Sequence, residues 1–418
     1  MENQRLATIQ AEERPISFVR LISTGISVRL LVDTTVQMVN PFLPIFAAGL
    51  GVDVVTMGRL VSLRSAMGLV APVYGALADR TGYRRVMRIT LLAMAAGLLL
   101  MGASTHIALA ALAMALMGLG MAGFVPTLIA YLSARLPYAE RARGIGMLEY
   151  SWALTGIVGL SLMGQLIEAT NWRVPLFLLA AGILVMVWLI GSLPGAHDGA
   201  LPRAVTADQP APTPRNRALS FFNLGSNAAS TYALLLASGA NYFAAMQLMI
   251  VYGAWLADQY RLSPRELGYV ALLFGCFDLT ASVSVSLFTD RFGKRRSVLL
   301  GTAGSLLGYL LLPWLNVGLL PAILGAALAR GFFEFAIVST IPLLSEQSPN
   351  QRGKVMSLSS ALALSASTVA AFVSPGLYTA AGIGGVALLS GLFTAVALLL
   401  TLARVREAGE PEPIILEV

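Results

Sequence analysis

Hydrophobic runs recur along the whole chain, separated by short charged or turn-forming breaks. A helix needs roughly 17–25 mainly apolar residues to cross the ~30 Å of hydrocarbon in a bilayer. Residues 91–102 and 386–402 are apolar on every side, whereas the strands of a membrane barrel alternate apolar and polar residues. The runs therefore predict transmembrane helices and exclude a membrane barrel.

The predicted spans form two groups of six, and the first comprises residues 18–47, 58–78, 86–102, 107–133, 144–167 and 174–193. The second comprises residues 232–255, 267–288, 297–314, 318–344, 355–379 and 382–404. Between the groups, residues 194–220 are rich in Pro, Ala and Arg without helical periodicity, which is typical of a solvated linker. Residues 221–231 are predicted to be an interfacial lead-in to the seventh span.

We divide the chain into two helical bundles, residues 17–193 and residues 232–404, joined by residues 194–231. Residues 1–16 and 405–418 are predicted to be cytoplasmic tails. The first tail contains charged residues and no apolar core or cleavage site, so we do not expect it to be a signal peptide.

Few residues in this chain suit enzyme chemistry. Only 12% of them are charged, against about 25% in soluble domains. The chain has one cysteine, Cys276, and two histidines, His106 and His197. These are too few for a disulfide framework, a zinc site or a Ser/His hydrolase site. We therefore expect no enzyme activity, no metal and no cofactor.

The positive residues concentrate in alternate loops. One set of loops carries Arg80, Arg84, Arg85, Arg88, Arg135, Arg141, Arg143, Arg203, Arg215, Arg217, Arg291, Lys294, Arg295, Arg296, Arg352, Lys354, Arg404 and Arg406. The opposite set carries only Arg59, Arg173, Arg261 and Arg265. The positive-inside rule then predicts a protein of the cell (inner or plasma) membrane with both termini cytoplasmic. Because the net charge of +7 is not gathered on one soluble face, nucleic-acid binding is not predicted.

One loop motif occurs twice. The sequence DRTGYRR begins at Asp79 after the second span, and DRFGKRR begins at Asp290 after the eighth. The glycine of each copy permits the positive φ of a tight turn between two helices. Further on, Arg143-Gly144 before the fifth span is echoed by Arg352-Gly353 before the eleventh. The two halves of the chain are therefore predicted to be structural repeats.

These loops, the span count and the linker position resemble the major facilitator superfamily (MFS). The resemblance implies an all-α membrane protein of twelve transmembrane helices in two pseudo-symmetric six-helix bundles, which rock about a central cavity. It also implies a conformational latch made by Gly75, Asp79, Arg80, Gly82, Arg84, Arg85, Asp290, Arg291, Gly293 and Arg295. In the fifth span, Gly156, Gly159 and Gly164 resemble the glycine-rich pattern of the family's antiporters.

Six ionisable residues inside the predicted spans are candidates for a functional role, because each costs ~2.5–3.5 kcal/mol in the hydrocarbon by insertion scales. The acids Asp33, Asp278 and Glu334 are candidates for proton coupling, and the bases are Arg29, Arg64 and Arg330. Arg29 with Asp33, and Arg330 with Glu334, are four residues apart on one helix face. Each pair is therefore also a candidate internal ion bridge.

Alternative roles stay open for two of these residues. Asp278 is equally suited to buried hydrogen bonds with Ser282 and Ser284, and Arg64 to neutralising one of the acids. The bases, together with neutral residues of the first, fifth and seventh spans, are candidates for the substrate cavity. They are Arg29, Gln37, Asn40, Arg64, Tyr150, Trp152, Asn241, Tyr242, Gln247 and Arg330. The neutral residues equally suit ordinary contacts between helices.

The resemblance implies a secondary transporter that moves a small organic solute by alternating access, with proton-coupled efflux of drug-like or metabolite compounds as the leading hypothesis. The alternatives are a facilitator or organic-anion exchanger that uses the buried arginines, and a membrane sensor or scaffold that binds without flux. The implied partners are a small-molecule substrate, protons and the lipid bilayer, and the implied state is a monomer.

Overall fold

The structure is a computed structural model that describes residues 18–136, 138–193, 224, 227–348 and 351–407. Within these residues the chain forms helices and their connections, with no strand. The first helices are α1 (Phe18–Gln37), α2 (Leu43–Leu50), α3 (Val54–Ala66), α4 (Ala71–Thr81), α5 (Tyr83–Gly102), α6 (Ile107–Arg135), α7 (Tyr138–Leu154), α8 (Ser161–Ala169) and α9 (Val174–Gly191). They are followed by α10 (Ala228–Tyr260), α11 (Pro264–Phe292), α12 (Lys294–Leu315), α13 (Leu319–Gln347) and α14 (Arg352–Arg404).

The first predicted span is broken in two. We predicted one helix over residues 18–47, but α1 ends at Gln37 and α2 begins at Leu43. Pro41 lies in the break, where it has no N–H to donate to a continuing helix. Pro44 occupies the first turn of α2, a position in which a missing N–H costs nothing.

Two other spans contain short joints that are not α-helical. Residues Met67–Val70 form a 3₁₀ segment between α3 and α4, and Thr155–Leu160 form a π segment between α7 and α8. Pro72 in the first turn of α4 contributes to the first joint, because it has no N–H to donate to the carbonyl oxygen of Gly68, four residues earlier. Both joints leave the span continuous but change which residues face its neighbours.

Ten helical segments of the described residues are long and apolar enough to cross a membrane. One of them, α14, has 53 residues and a non-helical break at Gly382, with φ 62° and ψ −167°. A helix of that length would extend about 80 Å, more than twice the hydrocarbon thickness. The break separates the predicted eleventh and twelfth spans. The first predicted span, which contains α1, is not among the ten, so the count of twelve stays a prediction.

The chain divides into two compact units. The first comprises Met1–Ala207 with Arg261–Gly275, and the second comprises Asp208–Tyr260 with Cys276–Val418. In the first unit α5 packs on α6 and α9, while α1 packs on α6, α7, the π segment and α9. In the second, α10 packs on α14 and α13, and α12 packs on α13 and α14. The start of α11 therefore belongs with the first unit, although the predicted division placed it in the second bundle.

The repeated loop forms the same turn and the same cap in both units. Gly82 has φ 92° and Gly293 has φ 88°, so both turns use the left-handed conformation that glycine permits. Arg84 donates from Nη1 to the carbonyl oxygen of Leu193 at 2.6 Å, and Arg295 donates from Nη2 to that of Leu402 at 3.0 Å. Each arginine thus caps carbonyls at the end of the last helix of its unit.

The structure says less about the other residues of the predicted latch. Arg80, Arg85 and Arg291 are exposed, and a Cβ at Gly75 would meet no atom within 4 Å. The side chains of Asp79 and Asp290 lie outside the described part of the structure. The latch therefore stays a prediction, whereas the turns and caps of its loops are observed.

The glycines of the fifth predicted span allow close helix contacts inside the first unit. A Cβ built on Gly156 would lie 2.8 Å from the carbonyl oxygen of Ala271 in α11, and one on Gly159 would lie 2.3 Å from Oγ1 of Thr34 in α1. A Cβ on Gly164 would lie 2.5 Å from the carbonyl oxygen of Pro264. Two neighbouring helices therefore approach this span to distances that only glycine tolerates.

We expect Gly156→Ala to destabilise the protein by about 1–3 kcal/mol, because the added methyl group must displace backbone atoms of α11. The matched control is Gly146→Ala in α7, where a Cβ would meet no atom within 4 Å. In a helix that exchange stabilises by up to about 1 kcal/mol. Thermal unfolding in detergent measures both variants, and equal melting temperatures would contradict the close contact.

Candidate functional site

A buried arginine and two acids meet between α1 and α7. Arg29 donates from Nη1 to Oε1 of Glu149 at 2.7 Å and from Nη2 to Oε2 at 2.8 Å, which is a bidentate pair. Its Nε lies 3.4 Å from Oδ2 of Asp33, one turn further along α1. The predicted ion pair of Arg29 with Asp33 is therefore present, but the stronger contacts of Arg29 are with Glu149.

The two acids of this cluster differ in exposure. The side chain of Asp33 is 4% exposed, and that of Glu149 is 56% exposed. Ser151 donates to Oδ2 of Asp33 at 2.7 Å. A serine hydroxyl can donate to a carboxylate or accept from a protonated carboxyl group, so this contact suits both protonation states of Asp33.

The sequence reasoning missed Glu149. It lies inside the predicted span of residues 144–167, so it met the criterion that selected the other buried charges. The first predicted span is broken after α1, and the fifth contains the π segment that follows α7. Such irregular segments often mark functional sites, so they are a signal for the cluster between these two spans.

The second unit contains a related cluster. Arg330 of α13 donates from Nε to both carboxylate oxygens of Asp278 at 2.9 and 3.1 Å, and from Nη2 to Oδ2 at 2.5 Å. Its Nη1 also contacts Sδ of Met249. Asp278 is fully buried on α11, and the side chain of Arg330 is 14% exposed. Arg330 is thus paired with an acid of a neighbouring helix.

This pairing bears on two predictions. Arg330 and Glu334 are candidates for an ion bridge on one helix, which stays a prediction, while the hydrogen bonds described for Arg330 go to Asp278 and Met249. We also considered hydrogen bonds from Ser282 and Ser284 to Asp278. Instead, Ser282 lies 3.5 Å from Glu334, and Ser284 donates to the carbonyl oxygen of Thr280. The reason is that Asp278 already has a charged partner across the helix contact.

Arg64 is buried without an acidic partner among the described residues. It is 7% exposed and donates from Nη1 to the carbonyl oxygen of Val36 at 2.8 Å, next to the break after α1. The expectation that it neutralises one of the buried acids is therefore wrong for the described part of the chain. A buried guanidinium with only a neutral acceptor retains its attraction for anions.

The polar cavity candidates of the first unit differ in burial and in their hydrogen bonds. Gln37 is buried and donates to the carbonyl oxygen of Trp152 at 3.4 Å. Oδ1 of Asn40 is buried and has no hydrogen-bond partner in the described part of the chain. Tyr150 is 42% exposed, and Trp152 is half-buried. The structure therefore places Gln37 and Trp152 together, whereas it records no contact of Tyr150 with the cluster.

The candidates on α10 are mostly buried. Asn241 is 5% exposed with an unpartnered Oδ1, and Gln247 is fully buried with neither amide atom hydrogen-bonded to the described residues. Tyr242 packs edge-on against Phe333 with ring centroids 5.8 Å apart. Unpaired amides of this kind are unusual in a protein interior. The backbone carbonyl of Gln247 accepts a hydrogen bond from Ser374, so its helix is fixed at this point.

The sequence profile of the Major Facilitator Superfamily matches residues 26–212 and 234–416, which together cover most of the chain. The chain belongs to the major facilitator superfamily. The match covers both units. The two copies of the loop motif, the arginine caps and the close glycine contacts described above are therefore features of an MFS protein. It is therefore a multi-pass membrane transporter and not an enzyme.

Similar proteins carry transporter names. The uncharacterised MFS-type transporter YceJ of Bacillus subtilis (strain 168) is 25% identical over 84% of this chain and 87% of its own length. Multidrug resistance protein MdtG of Enterobacter lignolyticus (strain SCF1) is 27% identical over 43% of this chain, and the match spans 44% of MdtG. The crystal structure of the human organic anion transporter MFSD10 (TETRAN) matches with a TM-score of 0.67 and 20% identity, over 93% of this chain and all of that one. This last likeness shows a shared fold.

Proposed function

We propose that this protein is a proton-coupled secondary transporter that exports a small organic solute by alternating access. The observation that supports the coupling is Asp33, a carboxyl group that is 4% exposed and lies within reach of Arg29 and Ser151. A buried carboxyl group can bind and release a proton as its charged partner approaches or withdraws. The resemblance of one half to multidrug resistance protein MdtG supports drug-like solutes.

A vesicle flux assay tests this function. The purified protein is reconstituted in liposomes and offered a panel of organic cations, organic anions and sugars, with and without an imposed pH gradient. We expect at least one solute to accumulate against its gradient only when the pH gradient is present. Flux that ignores the pH gradient would contradict proton coupling, and solute binding without flux would indicate a sensor or scaffold.

Arg64 favours a second candidate, an exchanger or facilitator of organic anions. Its buried guanidinium has a neutral carbonyl as its recorded acceptor, and a carboxylate or phosphate is the natural ligand of such a group. The human protein that shares this fold is called an organic anion transporter. Under this hypothesis the pH gradient is not needed for flux.

For this candidate we expect Arg64→Gln to reduce anion flux at least about tenfold, since a hydrogen bond to a charged group contributes about 1.5–3 kcal/mol. The matched control is Arg64→Lys, which retains the charge but loses the planar fork and should retain part of the flux. The measurement is uptake of a radiolabelled organic anion into liposomes. Equal flux in wild type and Arg64→Gln would exclude a role for Arg64 in anion binding.

Further parts of the proposal concern placement in the cell. We propose that the protein lies in the cell membrane with both termini cytoplasmic and that it acts as a monomer. The excess of arginine and lysine in alternate loops supports this orientation. Cys276 is the only cysteine and is exposed, so substitution of it gives a background for single-cysteine labelling of either terminus.

A further inference from the structure

The contacts of Arg29 are divided unequally between two carboxylates. Both terminal nitrogens of its guanidinium are hydrogen-bonded to Glu149, whereas Nε, the nitrogen nearest Asp33, is buried and has no hydrogen-bond partner among the described residues. Nε lies only 3.4 Å from Oδ2 of Asp33. A small rotation of the guanidinium would therefore exchange one acid for the other.

One arginine can neutralise only one of the two acids. If both were ionised, the cluster would carry one excess negative charge beside a side chain that is 4% exposed. Such a charge is unfavourable in a poorly solvated place, so the acid that Arg29 does not hold is the one that retains a proton. In this structure Arg29 holds Glu149 through both terminal nitrogens, which leaves Asp33 as the proton carrier.

Few other charges act on Asp33. The elements with the most extensive packing on α1 are α6, α7, the π segment and α9. α3 also reaches α1 through Arg64, which donates to the carbonyl oxygen of Val36. The π segment and α9 contain no charged residue, and the only one in α6 is Arg135, which lies over the ring of Tyr131. On α7, Glu149 shares the guanidinium of Arg29 with Asp33. Among the described residues, the charged groups of this cluster are thus Arg29 and Glu149, and Arg64 adds a positive charge on the neighbouring α3.

We propose that Glu149 is a positioning residue that keeps both terminal nitrogens of Arg29 from Asp33 while Asp33 carries its proton, and that it releases them to Asp33 when this proton leaves. The proton passes from the Asp33 carboxyl group to water, Arg29 stays protonated throughout, and no covalent bond other than the O–H bond changes. Once Arg29 has turned to Asp33, the exposed carboxylate of Glu149 is open to water or to a cationic group. This role rests on the proposed proton coupling.

The test removes the charge of Glu149 and follows Asp33 directly. The full-length protein in detergent is titrated by infrared spectroscopy, and the carbonyl band of protonated Asp33 is identified by its loss in Asp33→Asn. In Glu149→Gln, Arg29 has no other carboxylate to hold, so the titration curve of this band should move to lower pH by about one unit or more. The pH at which transport is half-maximal should move in the same direction.

Two further variants keep the test decisive. Glu149→Asp retains the charge but shortens the side chain, so it should shift the titration curve of Asp33 in the same direction by a smaller amount. It replaces Glu149→Gln in the test if that variant does not fold. Glu140→Gln removes an exposed acid from the first turn of the same helix and should leave the curve in place. A structural role of Glu149 would change the melting temperature without moving the curve. An unchanged curve, or a shift to higher pH, would overturn the proposal.

The two proposals fail in different ways. A band that titrates and shifts in Glu149→Gln, in a protein without pH-driven flux, overturns the proton coupling but not the competition for Arg29. Conversely, pH-driven flux with an unshifted band overturns only the role of Glu149.

Discussion

Asp33→Asn should abolish solute accumulation driven by a pH gradient, reducing it to the level of protein-free liposomes. The amide has nearly the same shape as the carboxyl group and can still accept the hydrogen bond from Ser151, but it cannot bind and release a proton. The variant should therefore insert, purify and unfold much as wild type does. The measurement is uptake into liposomes with and without the gradient.

The control for this prediction is another aspartate of the same unit. Asp53 is exposed and accepts a hydrogen bond from the backbone N–H of Thr56 at 2.7 Å, as the N-cap of α3. Asparagine caps a helix about as well as aspartate, so Asp53→Asn should transport normally. Transport by Asp33→Asn that still follows the pH gradient as in wild type would remove Asp33 as the coupling site.

Asp278→Asn should destabilise the protein by about 3–5 kcal/mol, because it leaves the Arg330 guanidinium buried without its carboxylate. Three hydrogen bonds of 2.5–3.1 Å join the two side chains, and the acid is fully buried. We expect a lower melting temperature in detergent and a corresponding loss of correctly inserted protein. The double variant Asp278→Asn with Arg330→Gln should recover part of the stability, since no unpaired charge remains.

Glu334→Gln tests the pairing of Arg330 with Asp278 against a pairing with Glu334, which helical spacing also allows. If Arg330 depends on Asp278, as in the structure, Glu334→Gln should cost much less than Asp278→Asn. If Arg330 instead depends on Glu334 one turn away, the order of the two melting temperatures would be reversed. The measurement is the melting temperature in detergent of Glu334→Gln and of Asp278→Asn, compared with that of the wild type.

The sequence predicted most of the fold because hydrophobic length and loop charge are local properties. Glycine turns at Gly82 and Gly293 could also be predicted, since each motif places glycine where a positive φ is needed. The break between α1 and α2 could not be placed, although Pro41 was visible, because proline also occurs inside continuous membrane helices such as α6. Neighbouring helices decide which of these outcomes is stable.

The site was harder to predict than the fold. Helical spacing shows which residues share a face, so it found Arg29 with Asp33, but it cannot show which helix lies opposite. Asp278 and Arg330 are 52 residues apart, and no pattern in the sequence joins them. Glu149 is likewise 120 residues from Arg29. In both clusters the partner that determines the chemistry comes from another helix.

The caps made by Arg84 and Arg295 limit where each unit can bend. Each arginine ties the beginning of one helix to the end of another more than a hundred residues away, which closes that part of the chain into a loop without a covalent bond. Such a loop resists fraying at either end. Flexing within the first unit should therefore concentrate at the segments Met67–Val70 and Thr155–Leu160, where the helical hydrogen-bond ladder already changes register.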